Sequence, residues 1–291
     1  MKNPFFSLIL GTMNRHLELE ICLDSLLKQV FKQFEIVVVD QSNNSYTEDL
    51  LKLDKYKKLQ IIYKRVTFKG LSKARNCAIK LAKGKYACLI DDDAAYDVNY
   101  LQEAYDFLKG KKDAILSGYI WNPIRQKALP DYAKAVNEQE LSVRQIIRMC
   151  PSPGLIFPMT IFEQGIIFDE LLGVGGEFGA CEETDVVLQF LDQGIKIFYI
   201  NKMRVIHPTI AHSFEVENAS DMARIKNYAR GMGALLKKDL IGRKNKRLLP
   251  ILLEKQIKIS IKIIGVLGKD KAEKAKIEWI GMKEGYHGYI V

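Results

Sequence analysis

The run Phe34-Glu-Ile-Val-Val-Val39 constrains the fold more than any other feature of the chain. It is strongly β-branched and stops at Asp40, which predicts a strand. Phe6-Ser-Leu-Ile-Leu10, Leu59 to Val66 and Tyr86 to Ile90 are further short apolar runs of strand length. Between the first two runs, Leu19, Cys22, Leu23, Leu26 and Leu27 recur at helical spacing. Residues 71–83 place Leu71, Ala74, Ala78, Ile79 and Ala82 on one helical face before Gly84 breaks it. Strands alternating with helices of this length predict βαβ units and a mostly parallel sheet. In such sheets ligands bind at the carboxyl ends of the strands. Thr12, Asp40 and the run Asp91-Asp92-Asp93 all fall there.

The second half is less regular. Residues 117–180 contain the glycine-rich loop Gly173-Val-Gly-Gly-Glu-Phe-Gly179. Residues 182–193 read as a helix, Ile195 to Ile200 as a strand, and the chain from 219 onward as mainly helical. Residues 251–263 fit two periods, because Ile257-Lys-Ile-Ser-Ile261 alternates while the lysines 255, 258 and 262 share a helical face. No window approaches 18 consecutive apolar residues, and the apolar run after Met1 is too short for a signal peptide. Five cysteines without a C-x-x-C pair predict neither a disulfide framework nor a zinc site, and point to a reducing, cytoplasmic compartment. The net charge of +9 is concentrated at one end. Residues 221–291 hold 17 Lys and Arg against 7 Asp and Glu, and the other 220 hold 27 against 28. Between Asp221 and Trp279 Tyr228 is the only aromatic, so nucleic acid is not the expected partner. An anionic membrane surface suits the segment better, and a solvated basic helix accounts for it equally well.

Three groups carry the chemistry. Adjacent carboxylates at a strand end repel one another, and a divalent cation resolves the conflict by taking one or two of them together with substrate phosphates. Asp93 and Asp91 are the candidate ligands and His207 a third; an acidic helix cap and a structural histidine are the bland alternatives. Glu182, Glu183 and Asp185 follow the glycine loop, where a carboxylate can take a proton from an acceptor hydroxyl, or can simply favour a helix's first turn. Gly70-Leu-Ser-Lys-Ala-Arg-Asn76 opens a helix whose N-terminus and Arg75 suit a phosphate.

Phe6 to Arg15, Leu23-Asp-Ser-Leu-Leu-Lys-Gln29, Glu35 to Ser42, Gly70 to Asn76, Leu89-Ile-Asp-Asp-Asp93 and Phe168-Asp-Glu170 with Glu182-Glu-Thr-Asp185 resemble, in order, the motifs of family 2 glycosyltransferases. The resemblance implies an α/β, GT-A fold over residues 1–220, with a nucleotide-binding half (1–116), an acceptor half (117–220) and a basic helical extension (221–291). It implies inverting transfer of a sugar from a nucleotide diphosphate donor, with Mn²⁺ or Mg²⁺, to a saccharide or lipid-linked saccharide acceptor in bacterial surface-polysaccharide or glycolipid synthesis. A peripheral place on the inner face of the cell membrane fits such acceptors. Carried over residue by residue, Thr12, Asn14, Asp40, Arg75, Asp91 and Asp92 would bind the nucleotide sugar, Asp93 would be the main metal ligand, and Glu183 would be the base. Glu183 stands where the family often has Asp, which leaves Asp185 and Glu182 as substitutes. A catalytically inactive nucleotide-sugar-binding protein of the same fold is the alternative. A dinucleotide oxidoreductase is disfavoured because no G-x-G-x-x-G follows the first strand.

Overall fold

A computed structural model describes residues 3–110, 113–124, 126–129, 138–207, 219–263 and 269–291. The chain divides into two compact units, one of Met1–Phe168 and Val186–Ile210, the other of Asp169–Asp185 and Ala211–Val291.

The first unit runs β1 (Phe6–Thr12), α1 (His16–Leu27), β2 (Phe34–Asp40), α2 (Tyr46–Leu51), β3 (Ile61–Arg65), α3 (Leu71–Leu81), β4 (Tyr86–Leu89), β5 (Ala95–Tyr96) and α4 (Tyr100–Leu108). It continues with β6 (Ala114–Asn122), β7 (Lys127–Leu129), β8 (Gln139–Glu140), α5 (Val143–Met149), β9 (Leu155–Pro158), α6 (Met159–Glu163), most of α7 (Glu182–Asp192) and β10 (Lys196–Ile206). One mixed sheet has the order β3-β2-β1-β4-β9-β6-β10-β5, with β7 on β6 and β8 on β10. Its long pairings are parallel: β1 with β2 and β4, β2 with β3, and β6 with β10. The antiparallel pairings involve only two or three residues of each strand.

Core clusters line both sheet faces, which explains why Ile36 to Val39 of β2 are all apolar. Leu8, Ile36 and Val38 pack with α1 on one side, and Ile9, Val37 and Val39 pack with Ala74 and Ala78 of α3 on the other. One polar residue inside β2 is accounted for. Glu35 is fully buried and accepts from Ser7 Oγ and from the Lys83 backbone N–H, both at 2.6 Å. Gly84 lies so close to β1 that a Cβ there would stand 2.6 Å from the Ser7 nitrogen.

The second unit contains α8 (Ala219–Lys237), which continues into a π-helical turn at Lys238–Gly242, then α9 (Leu249–Ile263) and α10 (Lys269–Gly288). Residues 251–263 are therefore helical, with Ile259 buried and Ile257 and Ile261 exposed. Packing chose between two periods that the residues satisfy equally. The side chain of Lys262 lies outside the described residues. Small residues bring the helices into backbone contact. A Cβ on Gly233 would stand 2.0 Å from the Met282 carbonyl oxygen, and one on Gly285 1.9 Å from that of Arg230. Among the described residues no helix is long and apolar enough to cross a membrane.

Candidate active site

The parallel register puts the polar strand ends side by side. Thr12 is paired with Asp40 at the last position of β1 and β2, and Ile9 with Leu89, two residues before the acidic triplet. Asp40 is fully buried; its Oδ1 accepts from the Ser42 N–H and its Oδ2 from the Tyr63 hydroxyl, both at 2.9 Å. Burial, and then the Asp40 carboxylate, push the Tyr63 hydroxyl up to about 12. Asn14 adopts φ 58°, a left-handed conformation that Asn tolerates better than most residues. Its N–H donates to Ser42 Oγ at 2.8 Å, and its side-chain oxygen accepts from Asn43 and Asn44. Thr12, Asn14, Asp40 and the 42–44 turn thus form one hydrogen-bonded wall.

The triplet Asp91-Asp92-Asp93 is divided among different partners. Asp92 accepts from Thr12 Oγ1 and from Arg15 Nη1, both at 2.8 Å. Burial outweighs these contacts and pushes its carboxyl up to about 7. Asp93 accepts from Arg15 Nη2 at 2.9 Å and lies 3.0 Å from His207 Nε2. Burial alone would raise Asp93, but the His207 hydrogen bond, reinforced by Arg15, holds it below the usual carboxylate range. Burial likewise works against protonation of His207, and the hydrogen bond to Asp93 with the charges of Asp91 and Asp93 overcomes it. Asp91 meets Arg75 Nη2 at 3.1 Å, and Ser152 Oγ donates to the same Asp91 oxygen at 3.3 Å. Arg75 is not a surface residue of α3. It is 1% exposed, hydrogen-bonds Ser152, and its guanidinium lies 5.6 Å from the Phe168 ring centre.

Asp91, Asp93 and His207 each offer a ligand atom, and the three atoms lie within 4.8 Å of one another. Two carboxylate oxygens and an imidazole nitrogen are a donor set that Mn²⁺ accepts, with coordination positions left for phosphate and water, so the residues present fit such an ion. β10 extends to Ile206, longer than the strand expected at 195–200, and its antiparallel pairing of Ile206 with Ala95 delivers His207 to the triplet.

Arg15, Tyr63 and Ser152, which bond to the buried acids, and the 42–44 turn were not among the expected site residues. Arg15 stands three residues past Thr12, inside the first motif, and a cation so near a strand end facing acids was a usable signal. Tyr63 and Ser152 gave none, since their roles depend on contacts with β2 and with Asp91.

Glu182, Glu183 and Asp185 open α7, after Cys181 in a left-handed conformation (φ 72°) that is uncommon for a side-chain-bearing residue. Glu182 and Asp185 are buried, whereas Glu183 is half-buried. Asp185, fully buried, accepts from Lys238 Nζ at 2.9 Å and from Arg243. Lys238 also reaches Asp169, which takes the Tyr289 hydroxyl as well, and Arg243 and Arg247 both reach Asp239. The π-helical turn carries Lys238 and Asp239 into this network. Spacing gave no hint of it.

The profile of the family "Glycosyl transferase family 2" matches residues 7–166, more than half of the chain. The chain is 31% identical over 107 residues to the UDP-Glc:alpha-D-GlcNAc-diphosphoundecaprenol beta-1,3-glucosyltransferase WfaP of Escherichia coli, covering 36% of this chain and 42% of that one. It is also 31% identical over 116 residues to the poly(ribitol-phosphate) beta-glucosyltransferase of Bacillus spizizenii, covering 38% of this chain and 18% of that one. It therefore spans less than half the length of either relative. Its structure is similar to the mannosyltransferase PcManGT of Pyrobaculum calidifontis, solved with GDP-Man and Mn²⁺, with TM-score 0.65 and 15% identity over 96% of this chain and 74% of that one. A likeness at that identity speaks for the GT-A fold alone. Motif order, fold and family match agree, and the chain belongs to glycosyl transferase family 2.

Proposed function

We propose that this protein transfers a sugar from a nucleoside diphosphate sugar to an acceptor hydroxyl, with inversion at the anomeric carbon. The observation that carries the reading is the convergence of Asp91, Asp93 and His207 beside the wall formed by Thr12, Asn14 and Asp40, at the carboxyl edge of the sheet. Thr12, Asn14 and Asp40 would receive the nucleoside, and Arg75 and Asp92 would steady the donor side through Asp91 and Arg15. Asp91, Asp93 and His207 would hold Mn²⁺ or Mg²⁺, which neutralises charge on the departing diphosphate when bound.

Reaction at the anomeric carbon forms one C–O bond to the acceptor hydroxyl and breaks the C–O bond to the diphosphate. The hydroxyl proton must go to a base. We assign that role to Glu183, because Glu182 and Asp185 are buried and Asp185 is already paired with two cations. The nucleotide-binding half would be residues 1–116, the acceptor half 117–220, and 221–291 a basic extension. Acceptors in the names of the two relatives bear phosphate, and for this chain we propose a saccharide acceptor that also bears phosphate, lipid-linked or polymeric, in surface-polysaccharide synthesis. The basic extension would bring the protein to the inner, anionic face of the cell membrane from the cytoplasm.

Thermal stabilisation by a panel of nucleotide sugars with Mn²⁺ identifies the donor, and transfer to a phosphate-bearing saccharide acceptor then tests the reaction. Donor binding without transfer or donor hydrolysis would replace this reading with that of an inactive nucleotide-sugar-binding protein.

A further inference from the structure

The second unit carries a shallow cavity, widely open to solvent, of about 540 Å³, lined among the described residues by Ala223, Arg224, Lys226, Asn227, Arg230 and Glu284. Among the described residues its lining holds Arg224, Lys226 and Arg230 and the carboxylate of Glu284. Glu284 is committed mainly to Lys226, whose Nζ lies 2.7 Å away, and it stands 3.8 Å from Arg230 Nε. Arg230 Nε is buried and makes no hydrogen bond among the described residues. The Arg230 guanidinium lies 5.5 Å from the centre of the Phe178 ring. Contact with a ring face holds a guanidinium in place while its N–H donors, which lie in its own plane, stay free to meet an oxyanion.

The cavity wall is built against the loop that leads to Glu183. A Cβ on Gly179 would stand 1.9 Å from Asn227 Nδ2, and one on Gly231 would stand 2.5 Å from the Ala180 carbonyl oxygen. The contact at Gly231 is with backbone, so glycine there lets α8 lie directly against Ala180, three residues ahead of Glu183, whereas at Gly179 the neighbour is the end of the Asn227 side chain.

We propose that this cavity is an acceptor subsite for a phosphate ester, with Arg230 as its principal donor and Lys226 and Arg224 supplying charge. The proposal rests on the transferase reading and adds where the acceptor's phosphate is held. Two sources share that chemistry, the diphosphate that links a saccharide to a lipid and the phosphodiester of a polyol-phosphate chain.

Calorimetry on the full chain tests it, with EDTA present to remove metal-assisted binding of diphosphates at Asp93. The probes are inorganic pyrophosphate and glycerophosphoglycerol. Wild type is expected to bind at least one; the diphosphate source is supported if pyrophosphate binds tighter, the phosphodiester source if the other does. Arg230→Gln is expected to weaken binding at least tenfold and Arg230→Lys to restore part of it, while UDP or GDP binding with Mn²⁺ stays unchanged. Lys226→Gln, at a more exposed position, frees Glu284 to pair with Arg230 and is expected to weaken binding at least threefold, which decides the matter if Arg230→Gln does not fold. No binding by wild type, or changes below twofold in every variant that folds, overturns the subsite. Loss of probe binding in a chain that transfers no sugar would leave the subsite standing and remove the transferase reading. Transfer with an acceptor KM unchanged by these substitutions would do the reverse.

Discussion

Asp185→Asn separates a structural carboxylate from a catalytic one. Asn keeps the shape of the side chain and removes its charge. Asp185 is fully buried and faces Lys238 and Arg243, whose side chains are 22% and 16% exposed. Each cation also has a second acidic partner, Asp169 for Lys238 and Asp239 for Arg243. Breaking a buried ion pair from one side typically costs 3–5 kcal/mol. The second partners and the partial exposure of both cations put this case near the lower end, about 3 kcal/mol. For a chain of this size each kcal/mol lowers Tm by about 2–4 °C, so Asp185→Asn should melt about 6–12 °C below wild type. Circular dichroism melting and initial-rate assays, run side by side below the transition, read the two effects separately. Residual turnover within about tenfold of wild type is expected from the folded fraction. An Asp185→Asn protein that melts within 2 °C of wild type and transfers no sugar would refute the reasoning and make Asp185 the base.

Glu183→Gln should show the opposite pattern, with Tm and donor affinity kept and turnover reduced by about 10²–10⁴, the usual share of a general base; rate assays and donor titration check both. Chelation with EDTA should abolish transfer, and Asp93→Ala and His207→Gln should each weaken Mn²⁺ binding, read by electron paramagnetic resonance without substrate. The basic extension should bind anionic liposomes reversibly and release them as salt rises, and equal sedimentation with neutral and anionic vesicles at low salt would count against this. Gly84→Ala should lower Tm by several degrees, because its Cβ would press on the β1 backbone at Ser7, and a melt equal to wild type would show that the strand can yield.

The amino-acid sequence alone carried the alternation of strands and helices, the buried face of α1, Ala74 and Ala78 of α3 but not the buried Ser72, Arg75 and Asn76 beside them, and the edge where Thr12, Asp40 and the acidic triplet meet. These are local properties. Hydrophobic period and chain punctuation act over a few residues, and parallel strands bring their carboxyl ends to one edge whatever the details of packing. The carboxylates of the triplet were legible for the same reason, since they are adjacent in the chain. What the three acids do was not. Arg15 bridges Asp92 and Asp93, Arg75 is drawn inward by Asp91 and Ser152, and His207 arrives through the β5–β10 register from more than a hundred residues away. Along the helix, Glu182, Glu183 and Asp185 looked interchangeable, and burial together with the approach of Lys238 and Arg243 marked out Asp185. Residues 251–263 were equally undecidable, because one pattern satisfied both periods until packing buried Ile259 and left Ile257 and Ile261 in solvent. Tertiary structure decided these points because a buried charge is defined by the partners that reach it through space, and no spacing along the chain encodes that encounter.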